Sequence, residues 1–227
     1  MSQDKINIII PAAGMGRRMK SYGPKPLIKI GNSTIIKNQI NLLQTYIPNA
    51  TIILVCGFKA NMLMNETPHH IVKIENEKYE ETNVIRSIGM GLRAIGNCPK
   101  LMIVYGDLVF NSEAIKNIPF KESSIIVTKQ EMGNEEVGCI IDKNKRLTNL
   151  MYDLPIKWGQ IAIFMNKELR LLKQLCWDKK NNTKFGFEII NQIIERGGKF
   201  TCIQNKKIKI IDIDSSKDIQ KAKEILL

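Results

Sequence analysis

The stretch 8-IIIPAAGMGRRMKSYGPKP-26, from Ile8 to Pro26, decides how the rest of the chain is read. It starts as an apolar, extended run, passes through Gly14 and Gly16, and then gathers Arg17, Arg18 and Lys20 before Pro24-Lys25-Pro26. A buried strand that empties into a glycine turn before a helix marks the end of an α/β sheet at which ligands bind. Gly14 and Gly16 let the backbone approach an anion and donate N–H groups to it. Ala12 and Ala13 are small enough for a flat base to lie over the strand end. The spacing excludes two familiar phosphate loops. A dinucleotide fingerprint needs a third glycine where Met19 stands, and a Walker A loop needs Gly-Lys followed by Ser or Thr.

Outward from this stretch, near-continuous apolar runs alternate with helical periodicity: INIIIP (6–11), a helix over 34–47, TIILVC (51–56), a helix over 59–65, HIVKI (70–74), a helix over 84–95 and LMIVY (101–105). Apolar strands between helices predict a parallel sheet covered on both faces. Beyond Asp107, SSIIVTK (123–129), VGCII (137–141) and QIAIF (160–164) lie closer together, with a turn at 142–145, and predict mixed or antiparallel additions to that sheet. Helices are predicted over 166–176 and 185–196, the second closed by Gly197-Gly198. KFTCI (199–203), KIKIIDI (207–213) and a helix from Ser215, capped by Ser-Ser-Lys-Asp, complete the chain. The fold class is therefore α/β, Rossmann-like, with a central mixed, mostly parallel sheet and helices on both faces. The 227 residues, 44% of them apolar, are expected to form a single domain over 1–227.

A formal charge of +12 asks for an anionic partner. The lysines are scattered, only 6% of residues are aromatic and no nucleic-acid-binding signature is present, which favours a small polyphosphate over a polynucleotide. The polar MSQDKIN start and the lack of any apolar run near the roughly 20 residues of a membrane span predict a soluble, cytoplasmic protein with no membrane contact. Five widely spaced cysteines with no C-x-x-C are expected to be reduced and mostly buried.

Glycines followed by Arg18, Met19 and Pro24-Lys25 resemble the A-G-x-G-[ST]-R-[LM]…P-K signature of the nucleotidyltransferases, which join an NTP to a phosphorylated small molecule and release pyrophosphate. Arg17 departs from it, standing where Ser or Thr is usual. The resemblance implies a GT-A-like fold and a nucleotide loop of Ala12, Ala13, Gly14, Met15, Gly16, Arg17 and Arg18. Arg18 and the loop would hold the β- and γ-phosphates, with Lys25 at the α-phosphate. In LMIVYGDLVF (101–110), Asp107 follows Gly106 just past a buried strand, where the family has a magnesium ligand. KIIDIDSSKDIQKAKEIL (209–226) is similar to the family's closing segment, with Asp212 and Asp214 two apart on one strand face. The resemblance thus implies Mg²⁺ held by Asp107, Asp212 and Asp214, with Lys25, Arg18 and Asp107 as the catalytic set.

ENEKYEETNVIRSIGMGL (75–92) resembles, through Tyr79, Thr82, Asn83 and Ser87, the phosphocholine cytidylyltransferase-like branch. This implies CTP as donor, with Asn83 over the base or serving as the N-cap of the helix at Val84. The acceptor is a phosphorylated small molecule. Arg86, where the choline-type branch tends to have an aromatic, suits an acceptor bearing a carboxylate. The overall resemblance to the cytidylyltransferases that use phosphorylated L-glutamine for capsule biosynthesis implies L-glutamine phosphate as the acceptor, giving CDP-L-glutamine. Lys129, Trp158 and Glu188 are further acceptor candidates, and Tyr152, Phe164 and Phe187 are the aromatics available. Phosphocholine and a sugar 1-phosphate are the alternatives. From another class, an inactive nucleotide-sensing domain and a basic nucleic-acid binder remain.

Overall fold

Ile8, Ile9 and Ile10 are all fully buried, and they form the centre of strand β1 (Ile6–Ala12). The computed structural model describes residues 5–16, 23–130, 132–133 and 135–226. The remaining strands in chain order are β2 (Lys29–Ile30), β3 (Ser33–Thr34), β4 (Thr51–Cys56), β5 (Val72–Glu75), β6 (Lys100–Val104), β7 (Leu108–Phe110), β8 (Ser124–Thr128), β9 (Val137–Ile141), β10 (Leu147–Tyr152), β11 (Ile156–Met165), β12 (Thr201–Gln204) and β13 (Ile210–Asp212). The helices are α1 (Ile35–Tyr46), α2 (Ala60–Asn65), α3 (Val84–Ile95), α4 (Asn166–Trp177), α5 (Gly186–Glu195) and α6 (Ser216–Leu226).

The main sheet runs β10-β9-β11-β6-β1-β4-β5, with β8 on β11 and β12 on β8. β1 is parallel to both β4 and β6, and β5 is parallel to β4. β11 enters antiparallel to β6, β8 and β9. The mixed, mostly parallel sheet predicted from the sequence is thus present. Alternation in β1 sorts the core into two layers. Ile9 packs with α3, α4 and α5, while Ile8 and Ile10 pack with α1 and α2 on the other face.

Helix ends follow local chemistry. Thr34 caps α1 through a bond from Lys37 N–H, and Asn83 caps α3, its Oδ1 accepting from Val84 N–H at 2.8 Å. Gly197 (φ +76°) and Gly198 close α5, their N–H groups bonding Ile194 O and Ile193 O at 2.8 Å, the double bond of a Schellman end.

Four strands are absent from the sequence reading: β2, β3, β7 and β10. Among the described residues, β2 pairs with β3 and β7 with β13, outside the main sheet. Runs of two or three residues carry too little periodicity to be seen. β10 buries only Leu147 and Leu150, which a register shift sets three residues apart, and so lacks both a strict alternation and a continuous apolar run. β11 is also twice as long as QIAIF. Between Trp158 and Ala162 it bulges, with Gln160 at φ +54°. Among the described residues, no helix is long and apolar enough to cross a membrane.

Candidate active site

The carboxyl ends of β1 and β6 are forced together by Gly106. Its N–H donates to Pro11 O at 3.1 Å, and a Cβ there would stand 2.8 Å from that of Ala12. Only glycine permits this approach, which brings Asp107 up to the glycine loop. The turn bearing Asp107 is then pinned from below by Gln39, a buried residue of α1. Its Nε2 donates to Tyr105 O at 2.9 Å and to Leu108 O at 2.7 Å. On the loop side, Gly16 has φ +54°, and a Cβ would press on Lys25 Cγ at 3.0 Å, so the lysine stem lies against the glycine. Pro24 is extended and Lys25 opens a short 3-10 turn, Lys25–Leu27.

These elements converge on one ammonium. Lys25 Nζ donates to Asp107 Oδ2 at 3.1 Å and to Asp214 Oδ1 at 2.5 Å. Asp214 is held in place by the start of α6, where Asp218 Oδ2 accepts from Asp214 N–H, Ser215 N–H and the Ser215 hydroxyl. Burial would lower the pKa of Lys25, but Asp107 and Asp214 outweigh it and hold the ammonium above its ordinary value. Burial pushes the Asp107 carboxyl up; Lys25 pulls it down and the charge of Asp212 adds to the rise.

A second lysine stands behind the first group. Lys157 of β11 pairs with Glu136 and, at 3.0 Å, with Asp212 Oδ1, while Gln160 Nε2 on the bulge donates to Asp212 Oδ2 at 3.3 Å. Burial would raise the Asp212 pKa, yet Lys157 and neighbouring hydrogen bonds hold it below the usual range. Burial, followed by Asp212, holds Glu136 above it.

Both lysine groups flank one cleft of about 330 Å³. Its floor is Pro11 to Gly14, Gly16, Lys25 and Gly106-Asp107. One wall comes from the turn after β5 and the start of α3: Asn76, Tyr79, Thr82, Asn83 and Ser87. Buried Asn76 knits this wall, its Nδ2 lying 3.2 Å from both Thr82 Oγ1 and Ser87 Oγ. The opposite wall carries Glu135, Val137, Tyr152, Trp158, Phe185 and Phe187. Phe187 stands edge-on to Tyr152 (5.4 Å between centroids) and stacks on Phe185 (5.9 Å).

Of the residues singled out from sequence, Ala12, Ala13, Gly14, Gly16, Lys25 and Gly106 line the floor. Thr82, Asn83 and Ser87 line one wall, Trp158 the other, and Asp107, Asp212 and Asp214 reach the same space. Met15 is half-buried and outside the lining, and Arg17, Arg18 and Met19 lie outside the described residues. Arg86, Lys129 and Glu188 are not brought to the cleft. Glu188 instead caps α5, accepting from Phe185 N–H at 2.7 Å, Lys129 is exposed at the end of β8, and Arg86 has a buried Nε with no partner. Phe164 is a core residue packed on Phe200.

A magnesium ion fits this donor set in part. Asp107 and Asp214 already converge on a single cation, and oxygen-only ligands suit a hard divalent ion. Asp212 corrects the expected triad, because its two oxygens are turned to Lys157 and Gln160. Among the described residues, no group of three or more His, Cys, Asp or Glu is gathered as a metal site. Asn76, Gln39, Lys157, Glu136 and Gln160 were not legible in the sequence. The one available signal was Lys157, a charged residue inside a run that otherwise reads as a buried strand.

Comparison with known proteins agrees with this architecture. The chain is 30% identical over 156 residues to the bifunctional protein GlmU of Buchnera aphidicola subsp. Baizongia pistaciae, covering 66% of this chain and 34% of that protein. It is 25% identical over 230 residues to GlmU of the subspecies Schizaphis graminum, covering 96% and 48%. It therefore spans about a third to a half of these relatives' length. In structure it is similar to the CTP:phosphocholine cytidylyltransferase LicC of Streptococcus pneumoniae (TM-score 0.80, 17% identity, 98% and 99% coverage). It is also similar to the inositol-1-phosphate CTP transferase of T. maritima (TM-score 0.75, 14% identity, 98% and 96% coverage). At these identities the structural likeness bears on the fold. Residues 8–170 match the MobA-like NTP transferase domain, and the chain belongs to that family.

Proposed function

We propose that the protein transfers the cytidylyl group of CTP to the phosphate of a small acceptor. The observation that carries this reading is Lys25, set between Asp107 and Asp214 at the end of a glycine turn and over a cleft floor made of strand ends. An oxygen of the acceptor phosphate attacks the α-phosphorus. The bond from that phosphorus to the bridging oxygen breaks, and its electron pair leaves with pyrophosphate. No covalent nucleophile is required, so positioning and charge neutralisation do the work. Lys25 stabilises charge growing on the α-phosphoryl oxygens, an effect of order 10²–10³ for one such donor. Mg²⁺, when bound by Asp107 and Asp214, supplies further neutralisation of the phosphates. The main-chain N–H groups of the glycine loop serve the departing pyrophosphate.

On the base side, Asn83 spends its oxygen on Val84 N–H, which leaves its NH₂ to donate. A donor suits the acceptor groups of cytosine and uracil alike, so the choice of CTP rests on the resemblance carried by Tyr79, Thr82, Asn83 and Ser87. On the acceptor side, the wall is aromatic with Glu135 beside it, and Lys25 is the cation among the described residues that lines the cleft. Aromatic rings with a nearby carboxylate favour a cationic group over an anionic one. Arg86, read from the sequence as a partner for an acceptor carboxylate, lies outside the lining. A phosphorylated acceptor with a cationic far end, of which phosphocholine is the type, is therefore preferred.

The test is a pyrophosphate-release screen with Mg²⁺, the four NTPs, and phosphocholine, L-glutamine phosphate and glucose 1-phosphate. Release with CTP and phosphocholine is expected. Silence in every combination defeats nucleotidyl transfer, and release with L-glutamine phosphate alone defeats the acceptor assignment.

A further inference from the structure

Lys157 is 3% exposed and does not line the cleft. Replacing a buried ion group by apolar residues is often neutral or stabilising, so stability is a weak account of its presence. Its placement offers a better one. The Lys157 backbone pairs with Gly138 of β9 on one side and Thr128 of β8 on the other. Its ammonium holds Glu136, whose Oε2 also accepts Gly133 N–H at 2.8 Å and whose neighbours Glu135 and Val137 line the acceptor wall. The same ammonium holds Asp212, which pairs with Leu108 next to Asp107 and stands two residues before Asp214.

We propose that Lys157 is a positioning residue, tying the acceptor wall through Glu136 to the reaction centre through Asp212 and so fixing the distance between them. The proposal rests on the nucleotidyl-transfer reading above. It predicts an effect on acceptor affinity and none on the chemical step, whereas a merely structural ion group would leave the balance of KM and kcat unchanged.

The decisive variant is Glu136→Gln, which keeps the side-chain oxygen for Gly133 and leaves the Lys157–Asp212 pair to support the fold. With CTP and phosphocholine, the KM for phosphocholine rises roughly fivefold or more, the range expected for one coupled contact. The kcat and the KM for CTP stay within about twofold. Amide hydrogen exchange of the untreated protein provides a second readout that needs no activity: Val137 and Gly138 exchange faster in the variant while Ile8 to Ile10 do not. An unchanged phosphocholine KM, or a fall in kcat at constant KM, overturns the proposal. If the wild type shows no turnover at all, the functional reading fails on its own, and unchanged exchange at Val137 and Gly138 overturns the tether independently.

Discussion

Two lysines in this molecule each sit between two carboxylates, and they differ chiefly in access to water. Lys25, with Asp107 and Asp214, has partners about a third exposed. Lys157, with Glu136 and Asp212, has a side chain only 4% exposed and partners at 16% and 10%. Charge and composition are alike, yet the consequences diverge. An ion group at the mouth of a cleft can exchange one partner for a phosphate or a metal ion, because water compensates each intermediate step. A group closed off from water cannot, since losing its lysine strands two carboxylates in a medium that solvates them poorly. The open group is therefore suited to chemistry and the closed one to architecture.

The sharpest way to break this contrast is Lys25→Ala. Loss of a charge donor at the transferred phosphoryl lowers kcat by about 10²–10³, measured as steady-state pyrophosphate release, while the melting temperature falls less than in Lys157→Met because the stranded carboxylates are less buried. A normal rate would remove Lys25 from the reaction and merge the two groups into one structural class. Lys157→Met should behave in the opposite way. It leaves two carboxylates uncompensated in the interior, and urea unfolding should show a loss of roughly 3–5 kcal/mol. If that variant is as stable as wild type, the closed group carries no architecture.

A pH series sharpens the same comparison with a smaller effect. Both ammonium groups are held above their ordinary value of 10.5, Lys157 because Asp212 and Glu136 outweigh the burial that would lower it. A raised lysine pKa means that the folded state binds the proton more tightly, so its stabilisation is complete below about 10.5 and fades as pH rises through the folded value. Wild type should thus lose stability above that point more steeply than Lys157→Met, and equal slopes would contradict the assignment. The smallest effect concerns a cation outside both groups. Arg86→Ala should leave the KM for phosphocholine and for L-glutamine phosphate within about twofold; a large rise for L-glutamine phosphate would restore the carboxylate-binding role read from the sequence.

The central strands of the first half were legible because they are buried on both faces and read as unbroken apolar runs between helices, as in TIILVC at β4 and LMIV in β6. Glycine was equally legible at Gly16 and Gly106, since positive φ and close backbone approach admit almost nothing else. β7 was hidden by its shortness, whereas β13 lies inside the predicted run 207–213. The place of β7 comes from distant segments, through the pairing of Leu108 with Asp212 and the bond from Gln39 to Leu108 O. Asn83 was read with two meanings and the structure shows it capping α3, a local bond that sequence can propose but not rank.

Sequence by itself determined the alternation of strands and helices, the glycine turn at the end of β1 and the identity of the charges near it, because these depend on periodicity and on residues adjacent in the chain. Only the tertiary structure decided which charge meets which. Lys25 is separated from Asp214 by 189 positions and Lys157 from Asp212 by 55, so no local rule links them. Asp212 and Asp214, alike in type and only two residues apart, are drawn to different lysines because β13 ends between them and the chain turns into α6. A pairing set by the meeting of distant segments in a cleft of limited dielectric leaves no imprint on spacing, and it is that pairing which separates an exchangeable ion group from a fixed one.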